Sequence, residues 1–159
     1  MKTRVIAFAL LFLISNLASG QTIAGYSFSS YPVSGTFKGK KAKIDLESNP
    51  NAKSYRTVIT ETYKKGKVNF AGYYVIAMWG CGTSCSLGVI VDARDGKVYD
   101  LPETESNSDN NCQEPCARGQ LSSRMYFTSW CHFNVDEDKL NYTVYYWKES
   151  KKKFIQITK

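Results

Sequence analysis

The spacing of apolar and polar residues changes period several times along this chain, and each change marks an element. Residues 21–31 are polar and aromatic, rich in Ser and Tyr, and fit either a frayed arm or a first edge strand. Ser34-Gly35 marks a turn. Over 42–47 apolar and charged residues alternate strictly, the pattern of a half-buried strand. The period then shifts to that of a helix. Asn49 is a candidate cap with Pro50 at the first helical position. Tyr55, Val58, Ile59, Thr62 and Tyr63 follow at helical spacing, Lys64 and Lys65 suit the last turn, and Gly66 is a natural stop. The β-branched residues Thr57, Val58, Ile59, Thr60 and Thr62 favour a strand instead. The capping signals decide for one amphipathic helix over 51–65.

Strand patterns dominate the rest. Residues 70–78 form an apolar run broken only by Gly72, and 87–91 form another. Asp95-Gly96 predicts a two-residue hairpin turn returning through 97–101, which Pro102 ends. Residues 103–119 are acidic and rich in Asn and Ser, a long loop that needs a use or a staple. Over 124–130, Met125 and Phe127 share one face, with Tyr126, Thr128 and Trp130 on the other. Asp136-Glu137-Asp138 predicts an exposed turn. Strands are expected over 141–147 and 154–157, joined by a lysine-rich segment that reads as a solvated turn. The expected fold is therefore α+β: an antiparallel, mostly meander sheet with one packed helix and disulfide staples.

The ends and the charge place that domain. Lys2 and Arg4 precede an apolar run over 5–14, and Ala18-Ser19-Gly20 are small, as in a secretory leader cleaved before Gln21. The run is shorter than a bilayer requires. Residues 21–159 are then one exported domain, periplasmic or extracellular. The residue directly after the cleavage site is Gln21 and not cysteine, so a lipoprotein is not expected, and no later stretch has the length of a transmembrane segment. The formal net charge of +7 falls to +5 (7 − 2) once the leader's Lys2 and Arg4 are removed, and that basic balance favours acidic partners. No nucleic-acid module is visible, and export argues against one. The five cysteines would meet an oxidising compartment, so disulfides are the default, and the odd count leaves one free or paired with another molecule.

Candidate chemistry concentrates in Trp79-Gly80-Cys81-Gly82-Thr83-Ser84-Cys85, a loop between two strands. It reads as a disulfide-pinned turn, a reactive thiol site or a backbone nest for an anion. As a redox pair, Cys81 and Cys85 lack a following helix whose dipole would lower a thiol pKa. A cysteine hydrolase needs a histidine beside the nucleophile, and the chain has one, His132. His132 adjoins Cys131, and neighbours on a strand face opposite ways, so those two cannot pair. Cys81 or Cys85 with His132 stays open, and a Ser-His-Asp site would depend on the same histidine. Cys81, Cys85, Cys131 and His132 have the chemistry of a zinc site, but export favours their oxidation. No cofactor motif appears. Two disulfide arrangements remain open. Cys112 with Cys116 closes the acidic loop, and Cys131 bridges to Cys81 or Cys85. Alternatively Cys81 pairs with Cys85 and Cys131 is free. Eleven Tyr, eight Phe and three Trp populate both strand faces, and one face is free to present rings to a glycan or protein. The candidate binding residues are Tyr73, Trp79, Gly80, Gly82, Thr83, Ser84 and Trp130.

Asn69-Phe70-Ala71-Gly72-Tyr73-Tyr74, the Trp79–Cys85 motif and Asp92 with Asp95-Gly96-Lys97-Val98 together resemble a pattern of small exported bacterial proteins of unknown function. Ser123-Arg124-Met125, and Tyr146-Trp147 with Phe154, resemble its later strands. The resemblance implies a bacterial, exported protein and supplies no activity. This chain carries Tyr73 where the pattern has histidine. The resulting expectation is a non-enzymatic binding domain for a protein or glycan, of inhibitor or immunity type. The alternative is a cysteine-dependent enzyme using Cys81 or Cys85.

Overall fold

Two antiparallel meanders stack face to face, with helices over the outer face of one and the N-terminal arm over the outer face of the other. The computed structural model describes residues 22–82, 85–102, 104–105, 117–132 and 139–157. For Cys81, Gly82, Cys85, Thr104, Glu105, Trp130, Cys131, His132, Lys139 and Leu140 the description is of the backbone. The leader expected over 1–20 lies outside these residues, as do Cys112 and Cys116.

The first meander contains β3 (Tyr74–Gly82), β4 (Cys85–Asp92) and β5 (Val98–Asp100), with the short β6 (Thr104–Glu105) also paired to β4. The second runs β10 (Lys153–Gln156), β9 (Lys139–Lys148), β8 (Ser123–His132), β7 (Ala117–Gln120). All their pairings are antiparallel. The α+β class with antiparallel sheets is as expected, but the single sheet is in fact two.

Double-sided burial explains the long apolar runs. Side chains alternate along a strand, so Val75 and Ala77 of β3 and Val89 and Val91 of β4 face the helices, packing on Ala52, Ile59 and Tyr63. Tyr74 and Ile90 face the other way and meet Tyr126 and Trp147 of the second sheet. Met125, Phe127 and Val144 cover that sheet's far side against Ile23 and Phe28. The arm is thus neither frayed nor a lone edge strand. It is a small hairpin, β1 (Thr22–Ile23) and β2 (Tyr26–Ser27), tied down where Ser123 Oγ donates to the Phe28 carbonyl at 2.7 Å.

Asn49 caps the helical segment as expected, its Oδ1 accepting from the N–H groups of Asn51 and Ala52. The helix is broken at Tyr55 into α1 (Pro50–Ser54) and α2 (Arg56–Lys65), and the Tyr55 ring rests 4.8 Å from that of Trp79. Gly66 stops α2 without a left-handed turn, at φ −74°. Glycine suits the site for space: a Cβ there would lie 2.7 Å from the Thr62 carbonyl oxygen. Lys41 donates to the carbonyls of Tyr63 and Gly66, satisfying the end of the helix. Among the described residues no helix is long and apolar enough to cross a membrane.

Several local expectations fail, among them the long loop over 103–119, whose ends pair with the sheets as β6 and β7. Residues 42–47 make only one bridge, Asp45 to Lys97, because the Asp45 carboxylate accepts from Glu47 N–H and opens a 3-10 helix over Leu46–Ser48. The run from Phe70 begins as a turn, and its strand starts at Tyr74. Ala71 and Gly72 have φ of 44° and 76°, and the buried side chains of Phe70 and Ala71 belong to the core between the sheets. The turn after β4 is longer than two residues, with Gly96 N–H donating to the Asp92 carbonyl at 2.8 Å.

Gly72 is held against Gly35, and an added Cβ would lie 2.1 Å from the Gly35 carbonyl oxygen. Gly80 has nothing within 4 Å of its Cβ position. Gly72→Ala should therefore cost about 3 kcal/mol in urea unfolding, and Gly80→Ala less than about 0.5 kcal/mol.

Candidate functional site

The two sheets are joined at one edge by five polar side chains. Tyr74 opens β3, and Asp92, its cross-strand partner, closes β4. Arg94 stands in the turn after β4. Glu149 and Lys152 come from the 3-10 turn between β9 and β10. The Asp92 carboxylate is only 1% exposed, so it must be paired. Arg94 Nε donates to Oδ1 at 2.8 Å and Arg94 Nη2 to Oδ2 at 2.5 Å, a bidentate fork. Lys152 Nζ lies 3.3 Å from Oδ2. Both cations also reach Glu149 Oε1, at 2.7 and 2.5 Å. The Tyr74 hydroxyl donates to Glu149 Oε2 at 2.6 Å and accepts from Arg94 and Lys152, each at 2.9 Å. Trp147 Nε1 completes Glu149 at 2.8 Å.

The pairing holds every group in one protonation state near neutral pH. Burial and then the hydrogen bond to Glu149 push the Tyr74 phenol far above its ordinary value. Burial alone would raise the Glu149 carboxyl, but hydrogen bonds from Lys152, Tyr74, Arg94 and Trp147 outweigh it and hold it at about 2. Burial likewise opposes ionisation of Asp92, and the Arg94 hydrogen bonds win, keeping it below the usual carboxylate range. The cluster contains two cations and two anions. No group in it is tuned to exchange a proton near pH 7, as a general acid or base requires. Its chemistry is that of a clamp.

Beside the clamp lies an open groove of about 480 Å³. Tyr99, Leu101 and Phe154 supply apolar surface, and Ser48, Asp100 and Lys153 supply polar groups. Lys152 belongs to both clamp and groove, its Nζ 5.7 Å from the Tyr99 ring centre. Asp100 Oδ1 is oriented by the side-chain amides of Asn49 and Asn51, at 3.1 and 3.0 Å. The apolar rings, fixed carboxylate and ammonium groups suit a ligand with both polar and apolar surface.

The candidate residues from the sequence divide among several places. Tyr73 adjoins the clamp, with the Arg94 guanidinium 4.3 Å from its ring centre. Trp79 points to the helix side of the sheet, and its indole N–H is buried with no hydrogen-bond partner among the described residues. The two rings therefore do not form one aromatic surface. Gly80 is exposed, and a bulge between Gly80 and Gly82 precedes the pairing of Gly82 with Cys85. Thr83 and Ser84 lie outside the described residues. The backbones of Trp130, Cys131 and His132 pair with Asn141, Leu140 and Lys139. Cysteine pairing, a thiol–His132 dyad and the four-ligand zinc set all rest on side chains outside the description.

The lysine-rich turn is corrected in one respect. Lys152 adopts a left-handed conformation, φ 48°, and turns its ammonium into the clamp. The sequence signals of the clamp are weak but real: a lone Asp ending an apolar strand, and a lone Glu opening a lysine run. No protein-family model, curated protein or solved structure matches the chain.

Two outcomes test the clamp. Arg94→Leu leaves the buried Asp92 with Lys152 as its one cation beside the backbone N–H of residue 94, and should cost about 3 kcal/mol in chemical denaturation. Both carboxyls titrate lower in the folded state than when unfolded, so their contribution is present above the ordinary carboxylate range and lost as pH falls. The thermal midpoint should drop between the ordinary glutamate value of 4.5 and about 2. Glu149→Gln should flatten that part of the profile in calorimetry.

Proposed function

We propose that this chain is an exported, non-enzymatic binding domain that recognises a protein or glycan of the cell envelope, in an inhibitor or immunity-type role. The groove at the edge of the two sheets carries this reading. Its rings and its polar groups are presented by strands and a clamped turn, so little ordering is left to oppose binding. The basic surface suits an acidic partner. The titration states of the clamp favour binding over acid–base catalysis at this site.

Export rests on the leader-like residues 1–20 and the cysteine content. In that compartment Cys112 bridges Cys116, and Cys131 bridges Cys81 or Cys85. The short strand β6 supports the second link, since it pairs with β4 at Cys85 and also packs on β8, which carries Cys131. Mass mapping of the unreduced protein should recover both bridges and one free thiol. Fast alkylation of Cys81 or Cys85 beside an active-site His132 would favour the thiol enzyme.

Pull-down from envelope and secreted fractions tests the binding reading. The wild-type protein should retain a partner that Lys153→Glu weakens by about fivefold, since one reversed charge at a rim is worth about 1 kcal/mol. A folded protein that retains nothing from either fraction overturns the proposal.

A further inference from the structure

A second surface has a different character. Lys38, Lys40 and Lys43 come from the loop before the helices, and Lys64, Lys65 and Lys67 from the end of α2. All six are exposed. Lys41 joins the two segments, donating from its half-buried ammonium to the carbonyls of Tyr63 and Gly66. Among the described residues only Lys65 of the six has a carboxylate within reach, Glu61 at 3.2 Å. The sequence contains no acidic residue over 36–44 or 62–91.

The basic surface has an apolar centre. Leu121, at the tip of the β7–β8 turn, is 42% exposed, the one large apolar side chain so exposed among the described residues. It shares a groove of about 370 Å³ with Phe37 and Val68, walled by Lys41 and Lys67. Backbone hydrogen bonds fix this arrangement: Gly72 N–H donates to the Leu121 carbonyl at 2.8 Å, and Phe37 N–H to the Gly72 carbonyl at 2.7 Å. The platform is built from three segments distant in sequence, and it lies apart from the groove beside Tyr99.

We infer that this face docks on an anionic phospholipid surface. Clustered lysines are drawn to acidic headgroups, while Leu121, which shares its groove with Phe37, reaches the boundary of the acyl chains. A soluble polyanion would satisfy the lysines and leave Leu121 without a role. Charge complementarity and the exposed leucine together select a bilayer. Such docking would hold the domain at a membrane with the Tyr99 groove available, and it does not depend on what that groove binds.

Co-sedimentation of the full purified chain with lipid vesicles tests the inference. The protein should pellet with vesicles containing phosphatidylglycerol and stay in solution with phosphatidylcholine alone. Raising the salt should release it, because surface charges are screened. The double variant Lys40→Glu/Lys67→Glu should weaken binding at least about tenfold, from the loss of attraction per lysine. Leu121→Ser should weaken it several-fold without changing net charge. Lys53→Glu, on α1 at the other end of the helix layer, should match wild type. Near-ultraviolet spectra confirm that each variant is folded. Absence of binding to the anionic vesicles overturns the inference, as does binding unaffected by the lysine pair. Binding unaffected by Leu121→Ser, with equal retention on a heparin column, overturns the bilayer in favour of a polyanion.

Discussion

The carboxylate of Asp92 is the constraint around which the rest of the structure is arranged. A charge removed almost wholly from water costs several kcal/mol unless it is paired and hydrogen-bonded. Arg94, two residues away, supplies one partner from the same turn. The second cation, Lys152, comes from the other sheet, so full pairing requires the β4–β5 and β9–β10 turns to meet. Glu149 then balances the two cations, and Tyr74 and Trp147 complete its oxygens. Each cation bonds both carboxylates and the Tyr74 hydroxyl, so the members satisfy one another. A half-exposed network closed on one buried carboxylate ties the two sheets together at this edge.

That placement has a consequence for function. Lys152 is drawn inward through a left-handed backbone, and in turning it forms one wall of the groove that Tyr99 and Phe154 line. The clamp and the groove are therefore coupled: the residues that hold the sheets together also shape the surface offered to a ligand. The same turn leaves Lys153 on the rim. The basic platform around Leu121 depends on a different set of contacts, chiefly Lys41 on the end of α2 and the backbone bonds through Gly72. Two surfaces thus arise from two independent tertiary devices on one small domain.

The layered core also explains where local reading of the chain misleads. Phe70 and Ala71 are apolar because they fill the space between the sheets, although their backbone is a turn. Ile44 and Leu46 are apolar because they pack on the helix-side core, although the segment between them makes no strand ladder. In both places hydrophobicity reports burial and not backbone geometry, and Gly72 or Asp45 settles the geometry instead. Tyr73 and Trp79 share a strand pattern, but the turn before Tyr74 and the packing of Trp79 on Tyr55 send them to different surfaces.

The amino-acid sequence by itself determined the α+β class of the fold, its antiparallel pairing and the capped start of the helix. Those features follow from side-chain period, turn chemistry and hydrogen bonds between near neighbours, all of which are local. It also marked Met125 and Phe127 against Tyr126 as opposite faces of one strand, as the core confirms. Only the tertiary structure decided that there are two stacked sheets, that the helix breaks at Tyr55, and that Lys152 leaves a solvated lysine run to neutralise Asp92. The last of these depends on a contact between residues sixty positions apart. No local period encodes such a contact, because its driving force, the cost of an unpaired buried charge, exists only once the chain has folded around it.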